Sequence, residues 1–203
     1  MKLTKLLERL DYKVVAGSDN IEITELVNDS RKVVPGSAFV CISGAVSDGH
    51  QYVKDVAERG AAAVIVEKDV EVPEGLTVIK VENTRYALAL MSAAYFGYPA
   101  EKLKTIGITG TKGKTTTTYM VKAILEEVGH KVGLIGTIEA IIGDKTIPSN
   151  NTTPESYTIQ KYFAQMVEAG CDCVVMEVSS QGLMLHRTAG IMFDIGIFTN
   201  LGE

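Results

Sequence analysis

The stretch Thr105 to Leu125, TIGITGTKGKTTTTYMVKAIL, decides the fold. It runs from a short apolar segment through a glycine-rich turn into residues with helical spacing. Strand, glycine loop and helix in that order bring backbone N–H groups and the positive end of a helix dipole to one point, which suits phosphate oxygens. Gly110 and Gly113 let the backbone close around an anion where a side chain would obstruct it. Lys114 carries a compact positive charge toward the β- and γ-phosphates of a nucleoside triphosphate, and the Thr115 hydroxyl falls where it can ligate Mg2+. The usual phosphate loop has a glycine at the place of Ile108; here the glycine lies one position earlier, at Gly107, so the loop is a variant. A glycine turn into a surface helix with solvated lysines is the simpler reading, but it leaves the Gly-Lys-Thr at the helix mouth unexplained. Such a loop identifies a ligand and leaves the reaction open.

The composition limits what the rest of the chain can be. A length of 203 residues with 46% hydrophobic content suffices for a buried core in one large domain or two small ones. No apolar run reaches the roughly 18 to 20 residues that cross a bilayer, and the opening MKLTKLLERL lacks the apolar centre of a signal peptide. A cytoplasmic protein without membrane insertion is expected. Three cysteines (Cys41, Cys171, Cys173) are too few for a disulfide framework, and the C-x-C pair has no nearby cysteine or histidine to complete a zinc site, so reduced thiols are expected. A net charge of −5 argues against nucleic-acid binding, which needs a basic face. An anionic ligand must then be held by local donors.

Periodicity divides the chain. YKVVAG (12–17), IEITELVN (21–28), SAFVCIS (37–43), AAAVIV (61–66) and LTVIKV (76–81) read as strands, and HQYVKDVAERG (50–60) and NTRYALALMSAAYFG (83–97) as helices. In the last of these Asn83 is the expected N-cap, with Tyr86, Leu90, Ala93 and Ala94 on one side. The breakers Gly97 and Pro99 in GYPAEKLK set a domain boundary, giving domains 1–100 and 101–203. The second half alternates strand 104–109, helix 115–128, strands 131–136 and 138–142, a polar loop, helix 156–169, strand 173–178 and a buried-type strand 193–199. That alternation implies parallel pairing under helices on both faces. The expected class is α/β: a small N-terminal α/β domain, then a P-loop-type parallel-sheet ATPase domain incomplete at its C-terminal end.

Several polar residues stand out on their own chemistry. Glu177 closes the apolar strand CVVMEVSS, where a carboxylate can meet a metal ion or simply be solvated. Asn151, Thr152 and Thr153 form a loop too polar for a core; read locally, it is a turn before a helix started by Pro154, with Thr153 as N-cap. Arg187 reads by default as a solvated arginine, and Asp29 as the stabiliser of a turn through Ser30 and Arg31. His50 and His186 read as structural or surface histidines.

GITGTKGKTTT resembles the ATP loop of the Mur ligase family, including its one-place offset. Asn28 to Val53, NTTPES (151–156) and MEVSSQGLMLHR (176–187) resemble further motifs of that family in the order it carries them, and together resemble its MurE type. The resemblance spans essentially the whole chain. It implies an ATP- and Mg2+-dependent ligase that adds a third amino acid, meso-diaminopimelate or L-lysine, to UDP-N-acetylmuramoyl-L-alanyl-D-glutamate (UDP-MurNAc-L-Ala-D-Glu) in peptidoglycan precursor synthesis; a monomer is expected. It implies ATP on Gly110, Thr111, Lys112, Gly113, Lys114, Thr115 and Thr116, and Mg2+ on Thr115 and Glu177. Lys114 and Glu177 become the catalytic residues, and Ser30, Asn151, Thr152, Thr153, Ser179 and Arg187 the substrate contacts. The loop SGAVSDGH (43–50) keeps the family's Asp48-Gly49-His50 but differs in the residues before them.

The chemistry so implied is phosphorylation of a substrate carboxylate followed by displacement of phosphate by an amine. The family continues past the point where this chain reads TNLGE, so a fragment with little activity of its own is expected. Two other readings stand beside it: a non-catalytic sugar-nucleotide-binding protein, and another ligase of the Mur or folylpolyglutamate type.

Overall fold

A computed structural model describes residues 1–44 and 47–202. The chain forms two compact units, Met1–Tyr95 and Phe96–Glu203. None of the helices among the described residues is long and apolar enough to cross a membrane.

In the first unit, strands β1 (Lys13–Ala16), β2 (Leu26–Val27), β3 (Ala38–Val40), β4 (Ala63–Val66) and β5 (Thr77–Lys80) form one sheet in the order β1-β5-β4-β3-β2. Only β1 runs antiparallel to its neighbour. Helices α1 (Leu3–Leu6), α2 (Val53–Glu58) and α3 (Thr84–Tyr95) complete the unit. Side chains alternate across each strand, so Val64 and Val66 of β4 share one face with Phe39 and Cys41, and α2 covers it with Val53 and Val56. Asn83 caps α3 by accepting the Tyr86 N–H at 2.9 Å. Tyr86 itself is exposed, against the expected apolar side, whereas Ala87 through Ala94 are all buried.

The expected strand 21–28 shrinks to two residues. Its first half serves the chain start instead, since Ile23 O accepts the N-terminal amine at 2.9 Å and Ile21 O accepts the Leu3 N–H at 2.9 Å.

The second unit is a six-stranded sheet of β6 (Lys104–Thr109), β7 (Val132–Ile135), β8 (Glu139–Ile142), β9 (Lys145–Pro148), β10 (Cys173–Glu177) and β11 (Ile195–Phe198), in the order β11-β6-β10-β7-β8-β9. The first four strands in that order are parallel, and β8 and β9 fold back antiparallel. Helix α4 (Lys114–Glu127) lays Val121 and Leu125 on one face, against Ile106, Ile108, Val132 and Val175. Helix α5 (Ser156–Glu168) covers the other with Ile159, Phe163 and Met166, at the i, i+4, i+7 spacing of a helix face, against Ile135, Val174 and Met176. Burying each such side chain contributes about 1.5–3 kcal/mol. All five residues of β10 are buried, as expected of a central parallel strand clad on both sides.

Three local expectations change. The polar loop after β8 contains β9, paired to β8 through a turn at Gly143. A short helix, α6 (Ser180–Met184), follows β10. Strand β11 lies at the sheet edge rather than in a buried place, with Ile195 and Phe198 exposed.

Candidate functional site

Strands β6, β10 and β7 are neighbours, and their carboxyl ends build the site. Gly110 (φ 135°) and Gly113 (φ 84°) turn the chain from β6 into α4 in backbone conformations that side-chain-bearing residues rarely adopt. Gly113 is the N-cap of α4, so the amides of residues 113–116 lack partners within the helix and face its open end. The amides of Thr111 and Lys112 are already engaged: Thr111 N–H donates to Asn200 O at 3.0 Å and Lys112 N–H to Asn200 Oδ1 at 3.0 Å. Asn200 Nδ2 and Thr199 Oγ1 both donate to Lys112 O, at 3.0 and 2.8 Å. The segment after β11 thus braces the loop that follows β6. Lys114 Nζ folds over the loop and donates to Gly110 O at 2.7 Å.

Glu177 ends β10 beside this loop, since the parallel register pairs it with Ile108. Its side chain is 1% exposed, yet it pairs with no cation among the described residues. It accepts the Thr115 hydroxyl at 3.0 Å and the Thr137 hydroxyl at 3.1 Å on Oε2, and the Thr137 N–H at 2.8 Å on Oε1. A Cβ on Gly136 would come within 2.6 Å of Glu177 Oε1, so only glycine lets the carboxylate sit there. A buried carboxylate without a countercharge, next to a hydroxyl at a helix N-terminus, is a hard-oxygen donor set of the kind Mg2+ takes. The residues present therefore fit that ion. Nearby on α4, burial and a 2.7 Å hydrogen bond to Glu139 push the Tyr119 hydroxyl up to about 12 and keep it protonated.

A polar cavity of about 280 Å³ lies beside the carboxylate, lined by Thr137, Asn151, Thr152, Thr153, Ser179 and Arg187 among others. The fold thus gathers five of the six residues singled out for substrate. Thr153 is not a helix cap: α5 begins at Ser156, and the Thr153 hydroxyl donates to Glu177 O at 3.0 Å while accepting the Ser179 N–H at 2.9 Å. Ser179 Oγ caps α6 by accepting the Gly182 N–H. Arg187 is not solvated either. It donates to Thr153 O at 2.9 Å, pairs with Glu155 at 2.6 Å, and has its Nε buried without a hydrogen-bond partner.

The sixth residue, Ser30, belongs to the first unit and opens a short 3-10 turn (Ser30–Lys32) that Asp29 caps through the Arg31 N–H. The Arg31 guanidinium holds the Asp29 carboxyl down at about 2. His50 is structural: its Nε2 accepts the Glu67 N–H at 3.1 Å, so Nδ1 carries the proton and donates to Asp48 at 2.6 Å. Lys68 and His50 together hold Asp48 well below the usual carboxylate range. Ala45 and Val46 of the variable loop lie outside the described residues. His186 follows α6 with φ 54°.

Cys173 does gain a histidine neighbour, since His130 and Asp172 lie with it in one cluster whose ligand atoms are within 4.8 Å of one another. Asp172 bonds His130 Nδ1 at 2.8 Å and the Lys131 N–H at 3.0 Å, and burial pushes the Cys173 thiol up to about 11. The cluster closes the start of β7 against β10.

Sequence reasoning missed Gly136, Thr137 and Asn200. The one signal available for the first two is their place just after β7, the strand that flanks β10.

The chain resembles known proteins in sequence and in fold. Residues 22–96 match the Mur ligase family, catalytic domain, and residues 108–203 match the Mur ligase middle domain. The chain belongs to the Mur ligase family. It is 50% identical over 201 residues to the UDP-N-acetylmuramoyl-L-alanyl-D-glutamate–2,6-diaminopimelate ligase of Clostridium perfringens, covering 99% of this chain and 42% of that protein. The Bacillus licheniformis ligase of the same name is 48% identical, over 100% of this chain and 41% of its own length. The chain thus spans about 42% of the length of such relatives. A solved structure of a ligase of that name superposes with a TM-score of 0.82 at 22% identity, over 100% of this chain and 41% of that one. The Thermotoga maritima MurF ligase, in complex with ADP, gives 0.55 at 23% identity over 88% of this chain and 38% of its own. Both likenesses are of fold.

Proposed function

We propose that this chain carries the ATP-binding and sugar-nucleotide-binding parts of a cytoplasmic ligase that joins 2,6-diaminopimelate to UDP-MurNAc-L-Ala-D-Glu. The observation that carries the reading is the meeting of Lys114, Thr115 and Glu177 at the ends of β6 and β10, one residue away from a polar cavity. The names of the relatives supply the substrate and the amino acid.

In this reading the amides of residues 113–116 hold the triphosphate, and Lys114 leaves Gly110 O to meet it. Thr111 and Lys112 act as the braced frame of the loop. Thr115 and Glu177 hold Mg2+, which when bound neutralises charge on the phosphates. Asn151, Thr152 and Ser179 face the peptide or sugar, with Arg187 and Thr153 shaping the wall they share. Ser30 contacts the uridine end. The substrate carboxylate attacks the γ-phosphorus and ADP leaves; the incoming amine then displaces phosphate from the acyl phosphate. The protein's part is alignment and charge compensation, with no covalent nucleophile of its own.

Calorimetric titration of UDP-MurNAc-L-Ala-D-Glu into the chain tests this reading. Binding that is lost in Arg187→Ala, with no binding of a folate, is expected. Failure to bind the sugar nucleotide, or preference for the folate, would overturn it.

A further inference from the structure

We infer that Thr137, a residue with no role in the reading so far, is a positioning residue that fixes the Glu177 carboxylate for its cation and ties it to the substrate cavity. The inference rests on the proposed nucleotide site. Thr137 holds both oxygens of Glu177: its N–H donates to Oε1 at 2.8 Å, and its hydroxyl lies 3.1 Å from Oε2. The same hydroxyl lies 3.0 Å from Thr152 Oγ1 in the polar loop and lines the cavity. A threonine hydroxyl has one proton, and a carboxylate accepts only. The Thr137 proton therefore points to Glu177, and the Thr152 hydroxyl must donate to Thr137. The result is a directed chain, Thr152 to Thr137 to Glu177, whose sense the carboxylate imposes.

The Thr115 hydroxyl shares Oε2 with Thr137, so the two threonines hold the carboxylate from α4 and from the end of β7. A cation drawn to Oε2 would displace the Thr115 hydroxyl from that oxygen into its own ligand set. Thr137 would remain as the holder of the carboxylate. Outer groups that orient a metal ligand typically affect metal affinity by about 10- to 100-fold. Thr137 is exposed on its outer side, so removing its hydroxyl does not open a core cavity.

The test is a fluorescence titration of the full chain with N-methylanthraniloyl-ATP, in saturating Mg2+ and in EDTA, for wild type, Thr137→Val and Thr137→Ser. Valine keeps the shape and the N–H and removes only the hydroxyl. We expect Mg2+ to tighten binding in wild type, and Thr137→Val to lose about tenfold of that tightening with unchanged affinity in EDTA. Thr137→Ser should restore it. Full Mg2+ tightening in Thr137→Val, or its equal loss in both variants, would overturn the positioning role while leaving the nucleotide site intact. Wild type that binds no nucleotide at all would instead remove the proposed site, and this inference with it.

Discussion

The Thr153 hydroxyl donates to the backbone carbonyl of Glu177 at 3.0 Å and accepts the Ser179 N–H at 2.9 Å, so a loop residue is bonded to the strand that carries the acidic group. Both polar loop and carboxylate are set by the end of β10. Thr153 is 1% exposed, and replacing it with valine would strand the buried Glu177 carbonyl and the part-buried Ser179 N–H. Thr153→Val should therefore cost about 1–3 kcal/mol, and Thr153→Ser clearly less. Urea unfolding of the three proteins checks this.

The two loop glycines should respond differently to alanine. At Gly113 a Cβ meets nothing within 4 Å, so only the left-handed backbone (φ 84°) is strained, at about 1–2 kcal/mol. At Gly110 the Cβ would collide with Thr199 Oγ1 and lie within 3.0 Å of the Asn200 backbone, so the loop must leave its brace. Gly110→Ala should lose more stability than Gly113→Ala and most of its ATP affinity. Thermal melts and nucleotide titration of each variant distinguish the two cases.

Acid should act on the first unit through Asp29. Its carboxyl is lowered from the ordinary 3.8 to about 2, first by the hydrogen-bonded Arg31 guanidinium. A depressed carboxyl stabilises the fold fully above its unfolded value, and that contribution fades as pH falls from about 4 toward about 2. The pair is exposed, so the effect on stability is small. NMR titration of Asp29 should give a midpoint near 2 in wild type, rising toward 3.8 in Arg31→Ala.

The legible parts of this molecule are those written in contiguous residues. Strand, Gly-Lys-Thr and helix lie within Thr105–Leu125, and Glu177 announces itself as a lone acid closing an apolar run. Burial of Cys173–Met176 likewise followed from its unbroken apolar character, whereas the burial of Glu177 did not. The rest depends on contacts across long separations. Asn200 braces Lys112 across 88 residues, and Thr137 holds Glu177 across 40, with no local pattern to mark either. Thr153 looked like a helix cap because Pro154 and a helix follow it, yet β10 offered its hydroxyl better partners. Arg187 looked solvated for want of a sequence-adjacent acid; Glu155 lies 32 positions back. The expected strand at 21–28 was shortened because the chain start took the hydrogen-bonding groups of Ile21 and Ile23.

In the proposed function the turn from β6 into α4 binds a triphosphate. A crystal structure of the chain with a non-hydrolysable ATP analogue and Mg2+ tests it most directly. Phosphate oxygens on the amides of residues 113–116, Lys114 Nζ moved from Gly110 O onto the phosphates, and the cation between Thr115 and Glu177 are expected. A nucleotide found elsewhere, with Lys114 still bonded to Gly110 O and Thr115 still bonded to Glu177, would contradict it.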